Sequence, residues 1–186
     1  YEIIIADDAS NDNSLSIIRS FNLSNLKIFS LSLNRGPSAA RNLGIKNSSG
    51  EYVYFFDVDD QIDPYALSTL YEAAKNNNSD FVFSDFKKFE SRINQREGVY
   101  NYPENKLFKK EDIISAMKRE LHDASLGHLG LFGCNGRLIK RSILIENNIF
   151  FNENLRWMED KTFAWNVLSF VSDARYIRKQ LYFHHI

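Results

Sequence analysis

Four runs rich in β-branched and aromatic residues punctuate the first half of the chain: Ile3 to Ala6, Leu26 to Leu31, Tyr52 to Phe56 and Asp80 to Asp85. Between them lie segments with apolar residues at helical spacing. These are Leu15, Ile17, Ile18 and Phe21; then Pro37 to Lys46, with proline in its first turn; then Pro64 to Asn76, with Leu67, Leu70, Tyr71 and Ala74. The runs read as buried strands and the intervening segments as amphipathic helices. Strand and helix in alternation imply parallel βαβ units with helices on the faces of the sheet. The expected fold class is α/β, a mainly parallel sheet flanked by helices, in one domain spanning residues 1–186.

The second half is less regular. Ser91 to Lys106 predicts a loop or a ragged hairpin, and Lys110 to His122 a helix. Asp123 to Gly136, rich in glycine and small residues, predicts a loop near the site. Arg141 to Asn147 and Asp160 to Phe170 read as helices, and Tyr176-Ile177 and Leu181-Tyr182-Phe183 as final strands. The chain enters its first strand almost at once, at Tyr1-Glu2-Ile3. In a doubly wound sheet that strand lies near the centre. The expectation is therefore an upstream piece of roughly thirty residues, the usual length of a βαβ unit.

Bulk properties narrow the function. A formal net charge of -1 leaves no electrostatic footprint for nucleic acid. Cys134 is the single cysteine, which excludes an intramolecular disulfide and a cysteine-based zinc site and suits a reducing compartment. No apolar stretch approaches membrane-spanning length. The expectation is a cytoplasmic protein, with association at the inner face of the membrane left open.

Carboxylates follow the strands. Asp57-Val58-Asp59-Asp60 comes directly after Tyr52 to Phe56, and Asp7-Asp8 after Ile3 to Ala6. In open α/β sheets ligands bind in the crevice beyond the carboxyl ends of the strands. Aspartates at i and i+2 point to one side of an extended chain, and a hard divalent cation can be held between them and a substrate diphosphate. The plainer reading of the same residues is a helix cap or a solvated turn, since Asp63-Pro64 follows. Asn34-Arg35-Gly36-Pro37-Ser38-Ala39-Ala40-Arg41-Asn42 places a planar guanidinium, suited to phosphate, on a helix. Trp157-Met158-Glu159-Asp160 opens another helix with paired carboxylates.

Taken in order, these four motifs resemble glycosyltransferase family 2, the inverting enzymes of the GT-A fold. The likeness extends over nearly the whole chain and includes Leu138-Ile139-Lys140-Arg141-Ser142 and Asn148-Ile149-Phe150-Phe151 on the approach to Glu159-Asp160. The resemblance implies transfer of a sugar from a nucleoside-diphosphate sugar, with UDP the expected carrier, to a glycan or lipid-linked acceptor. It implies a nucleotide-sugar-binding half over 1–90 and an acceptor and catalytic-base half over 91–186. Asp7 or Asp8 then reads the nucleobase, with Asp8 favoured. Asn34 and Gly36 shape the loop before the helix, and Arg41 meets diphosphate or ribose. Asp57 sits near ribose or metal, Asp59 ligates Mn²⁺ or Mg²⁺, and Asp60 supports those ligands or positions the acceptor. Asp160 is the expected base and Glu159 its alternate. His184 or His185 is either a third metal ligand or a packing residue. Trp157 either stacks on an acceptor sugar or packs in the core, and Gly127-His128-Leu129-Gly130 either borders the acceptor or is structural. The rival readings are a catalytically inactive nucleotide-sugar-binding module and a nucleotidyltransferase of similar fold. The latter calls for a glycine-rich phosphate loop and a lysine near the start, and Tyr1 onward shows none. A receiver-like domain, also with an acidic pair after a strand, lacks counterparts of Asn34 to Asn42 and Glu159-Asp160.

Overall fold

The computed structural model describes residues 1–89, 95–98, 102–122 and 133–185. The elements run β1 (Ile3–Asp7), α1 (Ser14–Ser20), β2 (Leu26–Ser30), α2 (Pro37–Asn47), β3 (Tyr52–Tyr54), β4 (Gln61–Ile62), α3 (Ala66–Asn77) and β5 (Phe81–Phe89). They continue with β6 (Gln95–Gly98), β7 (Leu107–Lys109), α4 (Lys110–His122), β8 (Arg137–Lys140), α5 (Arg141–Glu146), α6 (Glu159–Phe170) and β9 (Asp173–His185). The expected helices all form, within a residue or two at their ends.

The class is α/β, and the sheet is mixed rather than mainly parallel. β1 and β2 pair in parallel, Ile3 opposite Leu26 through Asp7 opposite Ser30. The larger sheet is ordered β3-β8-β5-β9-β4, with β6 on β5 and β7 on β9. Only β5 and β9 are parallel there; β3 and β5 each run antiparallel to β8. The physical reason for the difference is an inserted strand. β3 and β5, joined through α3, do run in the same direction as strand–helix alternation requires, but β8 lies between them reversed. Alternation governs the relative direction of successive strands; adjacency is settled by whichever later segment pairs with the open edges. The segment 91–106, read as a loop or hairpin, supplies β6, which folds back on β5. The two final strands are one, β9, with an irregular register opposite Ser84, Asp85 and Phe86.

β5 is the spine. Phe81 and Phe83 face one apolar cluster with Phe163, Tyr176 and Leu144, while Val82 faces the other with Leu70, Ala74 and Ile177. That period-two split is what a strand covered on both faces shows. α3 covers the second cluster, and α4, α5 and α6 contribute to the first. Lys110 closes the far end of α6. Its ammonium donates to the carbonyls of Leu168, Ser169 and Val171 at 3.1, 2.6 and 2.9 Å, oxygens with no partner inside the helix.

Among the described residues, no strand pairs with the second edge of β1 or of β3. Ile3, Ile4 and Ile5 are accordingly only half-buried. Glu2 bridges the two sheets there. Its carboxylate accepts the backbone N–H groups of Ser49 at 2.7 Å and Gly50 at 3.0 Å and pairs with Lys27 at 2.7 Å. Chiefly through Lys27, then through Ser49, these donors hold its pKa at about 2, below the ordinary 4.5. A lowered folded-state pKa contributes stability that is present above the unfolded value and lost as pH falls through the folded one. The melting-temperature gap between wild type and Glu2→Gln is therefore expected to be full above pH about 4.5 and to close as pH falls toward about 2, measured by circular dichroism.

Candidate active site

The crevice gathers residues from β1, α2, the loop after β3 and the start of α6. At the end of β1 the two aspartates part company. Asp7 turns inward, is buried, and accepts the N–H of Ser10 at 3.2 Å. Hydrogen bonding from Ser10 lowers its pKa against the opposing cost of burial. Asp8 turns across the crevice, and its two oxygens receive the N–H groups of Arg35 and Gly36, each at 2.7 Å. Asn34 donates to the Asp8 carbonyl at 3.3 Å. The structure thus brings Asp8, Asn34 and Gly36 into one corner. Gly36 stands at φ +91 with open space around an added Cβ, so the backbone conformation, not crowding, asks for glycine.

Arg41 lies at the centre. From α2 its guanidinium donates to Glu159 Oε1 at 3.1 Å and to the Asp57 carboxylate at 3.2 and 3.3 Å, and its face rests over the Phe151 ring at 5.4 Å. Asn135 donates to the same Asp57 carboxylate at 2.5 Å. One partly buried cation therefore joins the aspartate motif after β3 to the acidic pair opening α6, 118 residues from Arg41. Its planar fork lets it serve both carboxylates at once.

The members of each acidic motif face different surroundings. Asp59 is exposed and makes no hydrogen bond or ion pair among the described residues. Asp60 is buried and bonded to Tyr182, His184 and His185. Glu159 is tied to Arg41, whereas among the described residues Asp160 accepts only the N–H of Lys161, at 2.7 Å. Met158 enters α6 at φ +60, a left-handed conformation that costs energy for a residue with a side chain. Trp157 is 83% exposed, so the core-packing reading of it is set aside. Gly127-His128-Leu129-Gly130 lies outside the described residues.

For a cation, the described residues form no group of three or more histidine, cysteine or carboxylate side chains. The donor set still fits a hard divalent ion. Asp59 offers open oxygens, Asp57 Oδ1 retains a lone pair beyond its contact with Arg41, and such ions take their remaining ligands from substrate and water.

Three functional contacts escaped the sequence. Asn42, quoted there only as part of a run, donates to the Phe151 carbonyl at 2.9 Å and accepts its N–H at 2.8 Å. It also donates to Glu153 at 3.0 Å, which in turn pairs with Arg35 at 2.5 Å. Asn135 and Glu153 carry no motif signal, because their partners are 78 and 111 residues away. Asn42→Ala leaves the backbone N–H and carbonyl of Phe151 unpaired and is expected to cost about 2–6 kcal/mol in urea denaturation, about 1–3 for each group.

The fold is the GT-A fold. Over the whole chain the structure superposes on that of Staphylococcus aureus TarS residues 1-349 in complex with UDP-GlcNAc. The TM-score is 0.81 at 23% identity, covering 100% of this chain and 49% of that one, a likeness of fold. The chain belongs to glycosyl transferase family 2, whose profile matches residues 1–146. Among its relatives are a cholesterol galactosyltransferase of Borreliella burgdorferi, 32% identical across 97% of this chain and 51% of that protein. Another is a poly(ribitol-phosphate) beta-glucosyltransferase of Bacillus spizizenii, 34% identical across 89% and 24%. The chain spans about half or less of the length of these relatives. No helix among the described residues is long and apolar enough to cross a membrane.

Proposed function

We propose that this chain carries the donor-binding and base-bearing part of an inverting glycosyltransferase. The donor is a nucleoside-diphosphate sugar, UDP-linked, and the acceptor a glycan or lipid-linked hydroxyl. The observation that carries this reading is Arg41 bonded at once to Asp57 and Glu159, which joins a cation-type motif and a base-type motif in one crevice. Relatives named as sugar transferases to a sterol and to a polyol-phosphate polymer support both acceptor classes. The reaction is assigned to the cytoplasm, with the membrane's inner face as the surface where a lipid-linked acceptor is met.

Each residue has a task. The corner built by Asp8, Asn34 and Gly36, with Asp7 beside it at the end of β1, receives the nucleoside, with an aspartate oxygen as acceptor for a base N–H. Arg41 faces the ribose and diphosphate side. Asp57 and Asp59 hold Mn²⁺ or Mg²⁺, which when bound offsets the charge of the departing diphosphate. Asp160 takes the proton from the acceptor hydroxyl as that oxygen attacks the anomeric carbon from the face opposite the leaving group. One displacement inverts the centre.

Donor binding tests the reading directly. UDP binding measured by calorimetry is expected with Mn²⁺ and lost with EDTA, because two carboxylates and a diphosphate otherwise repel. Asp59→Ala is expected to abolish the Mn²⁺-dependent part while leaving the fold intact, since Asp59 is exposed. Equal UDP affinity with and without EDTA in the wild type would sink the cation's role.

A further inference from the structure

The loop from Asp57 to Asp60 has little of its own to hold it. Asp60 N–H donates to the Asp57 carbonyl at 3.1 Å, while Val58 is 92% exposed and Asp59 is exposed. Arg41 and Asn135 hold its first residue, Asp57, and the support of its last residue, Asp60, comes from the far end of the chain. Asp60 is 5% exposed, and its carboxylate meets three groups from the end of β9. These are the Tyr182 hydroxyl, His184 Nδ1 at 2.9 Å and the His185 N–H at 2.9 Å. Burying a carboxylate is costly unless donors surround it, and here they do. β4, directly after the loop, pairs with the same stretch, Gln61 opposite Phe183 and Ile62 opposite Tyr182.

Tyr182 reaches further than its hydroxyl. Its ring lies edge-on to Phe56 at 6.3 Å, immediately before the loop. Its other atoms lie so close to Gly136 that an added Cβ would meet them at 3.0 Å. Gly136 adjoins Asn135, the residue that holds Asp57. One side chain therefore touches the residue before the loop, the residue that ends it, and the neighbour of the residue that fixes its first carboxylate. Burial and the Asp60 carboxylate both push the Tyr182 hydroxyl far above its ordinary pKa, so it stays a donor.

We propose that Asp60 and Tyr182 form a positioning pair that sets Asp57 relative to Asp59, so that cation-dependent binding of a nucleoside diphosphate is governed from the end of β9. This rests on the donor-binding reading above. Neither residue need touch the donor. Groups that orient the ligands of a metal commonly change its affinity ten- to a hundredfold when removed.

The test uses Tyr182→Phe, which keeps the ring against Phe56 and Gly136 and removes the hydroxyl alone. Calorimetry with UDP and Mn²⁺ on the full chain gives affinity, and thermal unfolding gives stability. The expected result is an affinity weakened about tenfold, as such outer contacts do, with the variant still folded. In an Asp59→Ala background the same substitution is expected to change UDP binding no further, because the ligand it positions is gone. Asp60→Asn is expected to weaken binding in the same sense, and Tyr182→Phe decides the matter if Asp60→Asn does not fold. Wild-type affinity in a folded Tyr182→Phe, or lost stability with unchanged affinity, overturns the positioning role alone. A wild type that binds no UDP with Mn²⁺ overturns the donor-site reading and this proposal with it.

Discussion

Asp160→Asn is expected to bind donor as well as the wild type does and to lose sugar transfer by about a hundredfold or more, the scale of removing a general base. The two carboxylates that open α6 are adjacent in sequence and unequal in surroundings. One Glu159 oxygen is taken up by the Arg41 guanidinium at 3.1 Å, so this carboxylate is engaged inside the protein. Among the described residues Asp160 pairs with no cation, and it keeps one oxygen clear of the Lys161 N–H. Single-turnover transfer from a radiolabelled UDP-sugar, beside calorimetric UDP affinity, separates chemistry from binding. Transfer retained in Asp160→Asn and lost in Glu159→Gln with binding intact would move the role to Glu159.

Arg41→Met is expected to damage stability and donor binding together. Truncating one partner of a buried pair leaves the other's charge uncompensated, at about 3–5 kcal/mol for full burial. Asp57 is 35% exposed, so solvent screens part of this and about 2–3 kcal/mol is expected. For a domain of this size that lowers the melting temperature by about 5–10 °C. Arg41→Lys should not restore binding, because one ammonium cannot span two carboxylates as the fork does. A stable Arg41→Met with unaltered UDP affinity would show that Asp57 and Glu159 are held by other means.

The differences between sequence and structure have a common cause in contact range. β1–α1–β2 was readable because strand, crossover and parallel partner are consecutive. Each acidic motif was readable because its residues are neighbours and the strand or helix preceding them carries its own periodicity. β4, β7 and β8 were not readable as strands. Arg137-Leu138-Ile139-Lys140 is too short to show a period, and it becomes a strand because β3 and β5 offer it their edges. His184 was weighed as a metal ligand or a packing residue, and the structure places its Nδ1 on Asp60, a residue 124 positions away.

The residue pattern alone determined the α/β class, the family, and which side chains stand at strand ends and helix starts. Those follow from local periodicity and from the chemistry of short motifs. Only the tertiary structure decided that the sheet is mixed, that Arg41 joins Asp57 to Glu159, and that Asp59 lies open while Asp60 is buried. Each of those depends on which distant segment arrives to pair with an edge or a charge. Adjacent aspartates have nearly identical sequence surroundings, and their difference arises from the partners that folding brings to each.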